Sequence, residues 1–82
     1  MLEEVVTVLR GVYDRVAFRI VRSADLLEGP SAGNPIGTAS TWPIELEGRR
    51  IGEVEVGPAS GEDDAFMRRV ATIVAPYCKR SQ

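Results

Sequence analysis

Residues 41–56 constrain this chain more than any other stretch. In TWPIELEGRRIGEVEV, Trp42, Ile44 and Leu46 alternate with Pro43, Glu45 and Glu47, and Val54 and Val56 alternate with Glu53 and Glu55. A period of two sends the apolar set to one face of a strand and the charged set to the other. Glu47-Gly48-Arg49-Arg50 between the runs has turn chemistry, so the segment reads as a β-hairpin with one buried face. Ile51 has the wrong parity for that face, and a bulge near Gly52 reconciles it with the valines. A lone hairpin is marginal in water, so the rest of the chain has to cover its apolar side.

The flanking segments supply the cover. Residues 15–22 alternate again, with Val16, Phe18 and Ile20 facing one way and Arg15, Ala17, Arg19 and Val21 the other. Residues 24–28 read as a short second strand after a turn at Arg22-Ser23. Ahead of these, Leu2, Val5, Val6, Leu9, Val12 and Tyr13 recur at spacings of three and four, one stripe of an amphipathic helix that weakens at Gly11. Residues 29–40, GPSAGNPIGTAS, hold three glycines and two prolines and read as a loop.

After Gly57-Pro58-Ala59, Ser60 with Asp63 resembles a capping box, and Glu62 and Asp64 add acid to a first helical turn. The helix that follows is apolar at Phe66, Met67, Val70, Ala71, Ile73, Val74, Tyr77 and Cys78. That set is wider than a single stripe, so the helix buries one flank on the sheet and another on something else. Pro76 is expected to kink or end it. The fold class is α+β: one domain spanning 1–82, a small antiparallel sheet of three to four strands with N- and C-terminal helices packed on one face.

Composition narrows function mainly by exclusion. Among 82 residues, ten basic and twelve acidic side chains leave a net charge of -2, without the basic excess that nucleic-acid binding requires. Histidine is absent and cysteine occurs once, which removes histidine-based catalysis, zinc clusters and intrachain disulfides. No apolar run reaches the roughly 20 residues of a membrane span, and MLEEVVTVLR carries acids where a secretory signal needs positive charge. A soluble cytoplasmic protein with no nucleic-acid or membrane partner is expected. Ordering each residue costs roughly 1.5 kcal/mol, and so small a domain without a staple sits near break-even, which favours self-association.

The candidate chemical groups are few. Cys78 lies on the apolar flank of the last helix and reads as packing rather than as a nucleophile activated by Lys79 or Arg80. Glu45, Glu47, Glu53 and Glu55 read as a solvated strand face, pairing across strands with Arg15, Arg19, Arg22, Arg49 and Arg50. The glycines of the 29–40 loop lack the lysine of a phosphate-binding loop and the spacing of a dinucleotide fingerprint. Two readings of that loop stand, a plain connection or a ligand-facing segment with Asn34, Thr38, Ser40 and Thr41 as hydrogen-bonding groups. Trp42 is either core or an aromatic at the rim of such a site.

TWPIELEGRRIGEVEVG followed by GEDDAFMRRVATIVAPYC resembles the end of a GAF domain, in which a strand with a PI dipeptide, a turn, a glycine-containing strand and an acid-capped helix close the fold. The amphipathic first helix and YDRVAFRIVR resemble the beginning of that domain. The resemblance implies a GAF/PAS-like, truncated or minimal member, since the middle strands and helices that cover the family's ligand pocket have no counterpart here. It implies no cofactor and no catalytic or metal-binding residue. The expected function is a non-catalytic sensing or interaction domain in signalling, a homodimer through its terminal helices with another signalling protein as a further partner. The alternative is a small-molecule-binding sensor with a shallow site near the 33–41 loop, for which Arg19, Asn34, Thr41 and Trp42 are the binding candidates.

Overall fold

Two central strands carry the architecture. The computed structural model describes residues 1–80. In chain order it contains helix α1 (Leu2–Leu9), strands β1 (Arg15–Arg22), β2 (Asp25–Ala32), β3 (Ser40–Leu46) and β4 (Arg49–Gly57), a single 3-10 turn (Gly61–Asp63) and helix α2 (Asp64–Arg80). The sheet order is β2-β1-β4-β3, antiparallel throughout. Each outer strand is thus the hairpin partner of an inner one, and the β1–β4 ladder joins the two hairpins. Both helices pack on the same face, α1 over β1 and β2 and α2 over β3 and β4.

The alternation holds. Val16, Phe18, Ile20, Trp42, Ile44, Val54 and Val56 are buried under the helices, together with Leu2, Val6, Leu9 and Tyr13 of the N-terminal segment and Met67, Val74 and Cys78 of α2. The bulge expected near Gly52 is present: the β3–β4 register passes from Ile44 opposite Gly52 to Glu45 opposite Arg50, leaving Ile51 unpaired. That extra residue swings Ile51 into the core. A Cβ on Gly52 would stand 2.5 Å from the carbonyl oxygen of Arg19, so only glycine lets β1 and β4 approach so closely there.

Four expectations are corrected. The first turn is Ser23-Ala24, not Arg22-Ser23, because Arg22 pairs with Asp25. Strand β2 runs to Ala32 and β3 starts at Ser40, so the loop shrinks to residues 33–39. Gly29 and Pro30 are tolerated because β2 is an edge strand and the register jump between Ala17 and Arg19 absorbs them as a bulge opposite Phe18. Pro76 does not end α2, which continues to Arg80 with Ala75 and Cys78 of its last turns buried. Val12, placed on the buried stripe by spacing, is exposed: α1 stops at Leu9, and the following turn returns Tyr13 but not Val12 to the core.

Two consecutive acids fix the start of α2. The capping box is formed, with the Ser60 amide donating to Asp63 Oδ2 at 2.8 Å and the Glu62 amide donating to Ser60 Oγ at 3.4 Å. Asp63 Oδ1 also accepts from the Tyr13 hydroxyl at 2.7 Å, and Asp64 Oδ1 accepts from Trp42 Nε1 at 3.1 Å. The polar tips of two buried aromatics are thereby satisfied, and α2 is tied to the end of the N-terminal segment and to β3.

The Ser23-Ala24 turn is where local conformation opposes the chain. Both residues have positive φ, 51° and 69°, the pattern of a two-residue hairpin turn that favours Asn-Gly. A side chain in the left-handed region costs roughly 1–2 kcal/mol, and the greater unfolded freedom of glycine returns about 0.4–1 kcal/mol of that. Ala24→Gly should therefore raise stability by about 0.5–1 kcal/mol, read as a higher urea midpoint at unchanged m-value.

Candidate functional site

The four residues put forward for a small-molecule site do not converge. Trp42 points under the helices, while its neighbour Thr41 projects from the opposite face, as successive strand residues must. Arg19 shares the open face with Thr41, separated from it by β4. Asn34 is exposed in the 33–39 loop. A cleft of about 320 Å³ between β3 and α2 takes Trp42, Pro43, Glu45 and Arg68 into its walls, but not Arg19, Asn34 or Thr41.

Arg19 is engaged elsewhere. Its Nε donates to Glu53 Oε2 at 2.7 Å and its terminal nitrogen to Glu55 Oε1 at 2.8 Å. Arg15 reaches Glu55 at 3.3 Å and also donates to the Gly33 carbonyl at 2.8 Å, while Arg50 donates to Glu53 at 2.7 Å. The hydrogen bond from Arg19 holds the Glu55 carboxyl below its ordinary value despite partial burial. The cross-strand pairing read from the sequence thus occurs at Glu53 and Glu55, but the face is not the solvated one expected there, since Glu53 is buried and three guanidinium groups close over the two carboxylates.

Cys78 is fully buried, and burial pushes its thiol up to about 11. At neutral pH it is a protonated packing group rather than a nucleophile. Among the described residues no cluster of three or more histidine, cysteine or acidic side chains is placed to hold a metal ion.

The helix layer shows a different kind of surface. Tyr13, just past the end of α1, bonds Asp63, just ahead of α2, whereas Met1, Leu2 and Glu3 share a cleft with Tyr77 and Arg80. The two helices therefore run antiparallel. At 100° per residue, Phe66, Val70, Ile73 and Tyr77 form a second stripe on α2, distinct from the buried Met67, Ala71, Val74 and Cys78. The far flank of α2, with Arg68 and Thr72, lines the cleft against β3. The second stripe therefore turns toward α1.

The same geometry turns Val5 and Val8 toward α2, and Val12 lies exposed in the turn just past α1. Between the helices a groove opens at the end lined by Met1, Leu2, Glu3, Tyr77 and Arg80, and on the helix layer Val8, Val12, Ile73 and Phe66 are 72%, 71%, 57% and 49% exposed. Single exposed apolar residues are ordinary, whereas several on neighbouring flanks make a larger apolar patch than a soluble surface usually carries. The wide apolar set of α2 announces one wall in the sequence. On the other side, the spacing places Val5 and Val12 on the same stripe as Leu2 and Leu9 and leaves Val8 off it.

No family model, no curated protein and no solved structure matches this chain.

The buried protons give the domain a defined pH range. Burial first, and the bond to Asp63 second, push the Tyr13 hydroxyl up to about 12, against 10.0 ordinarily, and Cys78 rises from 9.0 to about 11. The folded state thus holds both protons more tightly, so this stability is complete below pH 9 and is lost between 9 and 11 for Cys78 and between 10 and 12 for Tyr13. Four carboxyls are held low: Asp63 by the Ser60 amide and then Tyr13, Asp64 by Trp42 and then Arg68, Glu55 by Arg19, and Glu3 by its own backbone amide and then the N-terminal ammonium. Their contribution is present above the ordinary 3.8 and 4.5 and is lost as pH falls below them. Melting temperature should be level from about pH 5 to pH 9 and fall on either side. Cys78→Ala should move the onset of the alkaline fall from about 9 to about 10, at a cost of about 1 kcal/mol in overall stability.

Proposed function

We propose that this chain is a non-catalytic interaction domain of GAF-like build that acts as a homodimer joined through its terminal helices. The observation that carries the reading is the set of exposed apolar side chains on the helix layer, Phe66 and Ile73 on α2 and Val8 and Val12 on and just past α1. A second copy offers the same surface, and mutual burial supplies the area that so small a core lacks.

The sheet edges favour the helix layer over strand addition. Edge strand β3 carries Pro43 in its middle, and edge strand β2 is bulged at Gly29-Pro30. Proline and bulges at edges are the usual means of preventing strand-to-strand association. The outer sheet face spends its charges internally, as described above. The GAF resemblance agrees with the helix layer as the contact, since terminal helices often form the dimer in that family.

Sedimentation velocity tests this directly. The wild-type chain should sediment as a dimer at micromolar concentration. Ile73→Asp replaces an exposed side chain, so the monomer fold should survive while the dimer constant weakens tenfold or more, about 1.4 kcal/mol. A wild-type monomer at that concentration refutes the proposal.

A further inference from the structure

The layout of the helix layer goes further, to how two copies meet. We infer that the pairing is crossed: α1 of each copy lies antiparallel on α2 of the other, with Val8 of one against Ile73 of the other. This rests on the dimer reading above.

The argument begins with level. The helices share one end, where Met1, Leu2 and Glu3 stand beside Tyr77 and Arg80. At 1.5 Å per residue, Val8 and Ile73 each lie roughly 8–10 Å from that end, so they sit side by side across the groove. A two-fold axis along the groove lays α1 on the partner's α2 without changing level, and Val8 meets Ile73. An axis across the groove instead lays α1 on α1 and α2 on α2.

Charge separates the two arrangements. Helix α1 carries Glu3 and Glu4 and no basic residue, whereas α2 carries Arg68, Arg69, Lys79 and Arg80 against the single acid Asp64. Like-on-like packing sets the basic helix against itself. Crossed packing brings Glu4, 81% exposed and 3.8 Å from its own N-terminal ammonium, over the end of the other copy where Arg80 stands beside Lys79, itself 4.0 Å from Glu47. Complementary charge of this kind chooses among orientations of comparable apolar area, because like-charge juxtaposition carries a penalty.

Cysteine trapping decides it. V8C and I73C chains are prepared separately, mixed to exchange subunits, oxidised with diamide, and identified by intact mass and peptide mapping. Wild-type protein is the control, with Cys78 buried and protonated. The expected product is a disulfide between one V8C chain and one I73C chain, several-fold in excess of either symmetric product. A predominance of I73C–I73C dimers, or a dimeric mixture that forms no disulfide, overturns the crossed arrangement while leaving the dimer intact. A monomeric wild-type chain by sedimentation overturns both readings and leaves the groove to a helix from a different protein.

Discussion

The β1–β4 ladder is the interaction on which everything else depends. Both hairpins are local and would form between neighbours in sequence, but neither buries its apolar face alone. Pairing β1 with β4 sets Phe18 opposite Val54 and Val16 opposite Val56, and these four side chains are the centre of the core. The same ladder aligns Arg19 with Glu53 and Ala17 with Glu55 on the reverse face. One register therefore determines both a dry side and a charged side. A slip by one residue would exchange them and leave Arg19 on the side covered by the helices.

The helices follow from that sheet rather than from their own propensities. Helix α1 has eight residues, too few to persist in water, and holds because Leu2, Val6 and Leu9 are buried. Helix α2 is set by the aromatic-to-acid bonds at its start and by Cys78 at its end. Because each helix is anchored on its own hairpin, the two lie alongside each other with a groove between them instead of a shared seam. The groove is thus a by-product of a four-stranded width covered by only two helices, one of them short.

Much of this was legible in the chain. Parity alone sorted Val16, Phe18 and Ile20 from Arg15, Ala17 and Arg19, and the parity error at Ile51 announced the bulge. The misreadings have a common cause. Gly29, Pro30 and Pro76 are local breakers, yet an edge position and a well-buried final turn overrule them, and neither circumstance is visible from neighbours in sequence. Val12 follows the helical spacing but lies past the point where the helix stops. For the site, the second stripe of α2 was readable as an unpartnered flank. Its facing wall was not, since that requires knowing that two segments at opposite ends of the chain lie antiparallel. The proposed grouping of Arg19, Thr41 and Trp42 overlooked a simpler signal, because residues 41 and 42 are adjacent in a strand and cannot share a face.

Pro43 and the Gly29-Pro30 bulge have a consequence for how this molecule behaves in a crowd. A sheet that ends in an unbroken strand is a template, and each added strand presents a new template, so growth has no natural stop. Here the row of free backbone groups is interrupted on both margins, and a strand arriving at either edge finds its ladder broken part-way along. Strand-by-strand growth therefore has no unbroken margin from which to start. The backbone geometry of the two margins thus works against fibrous association.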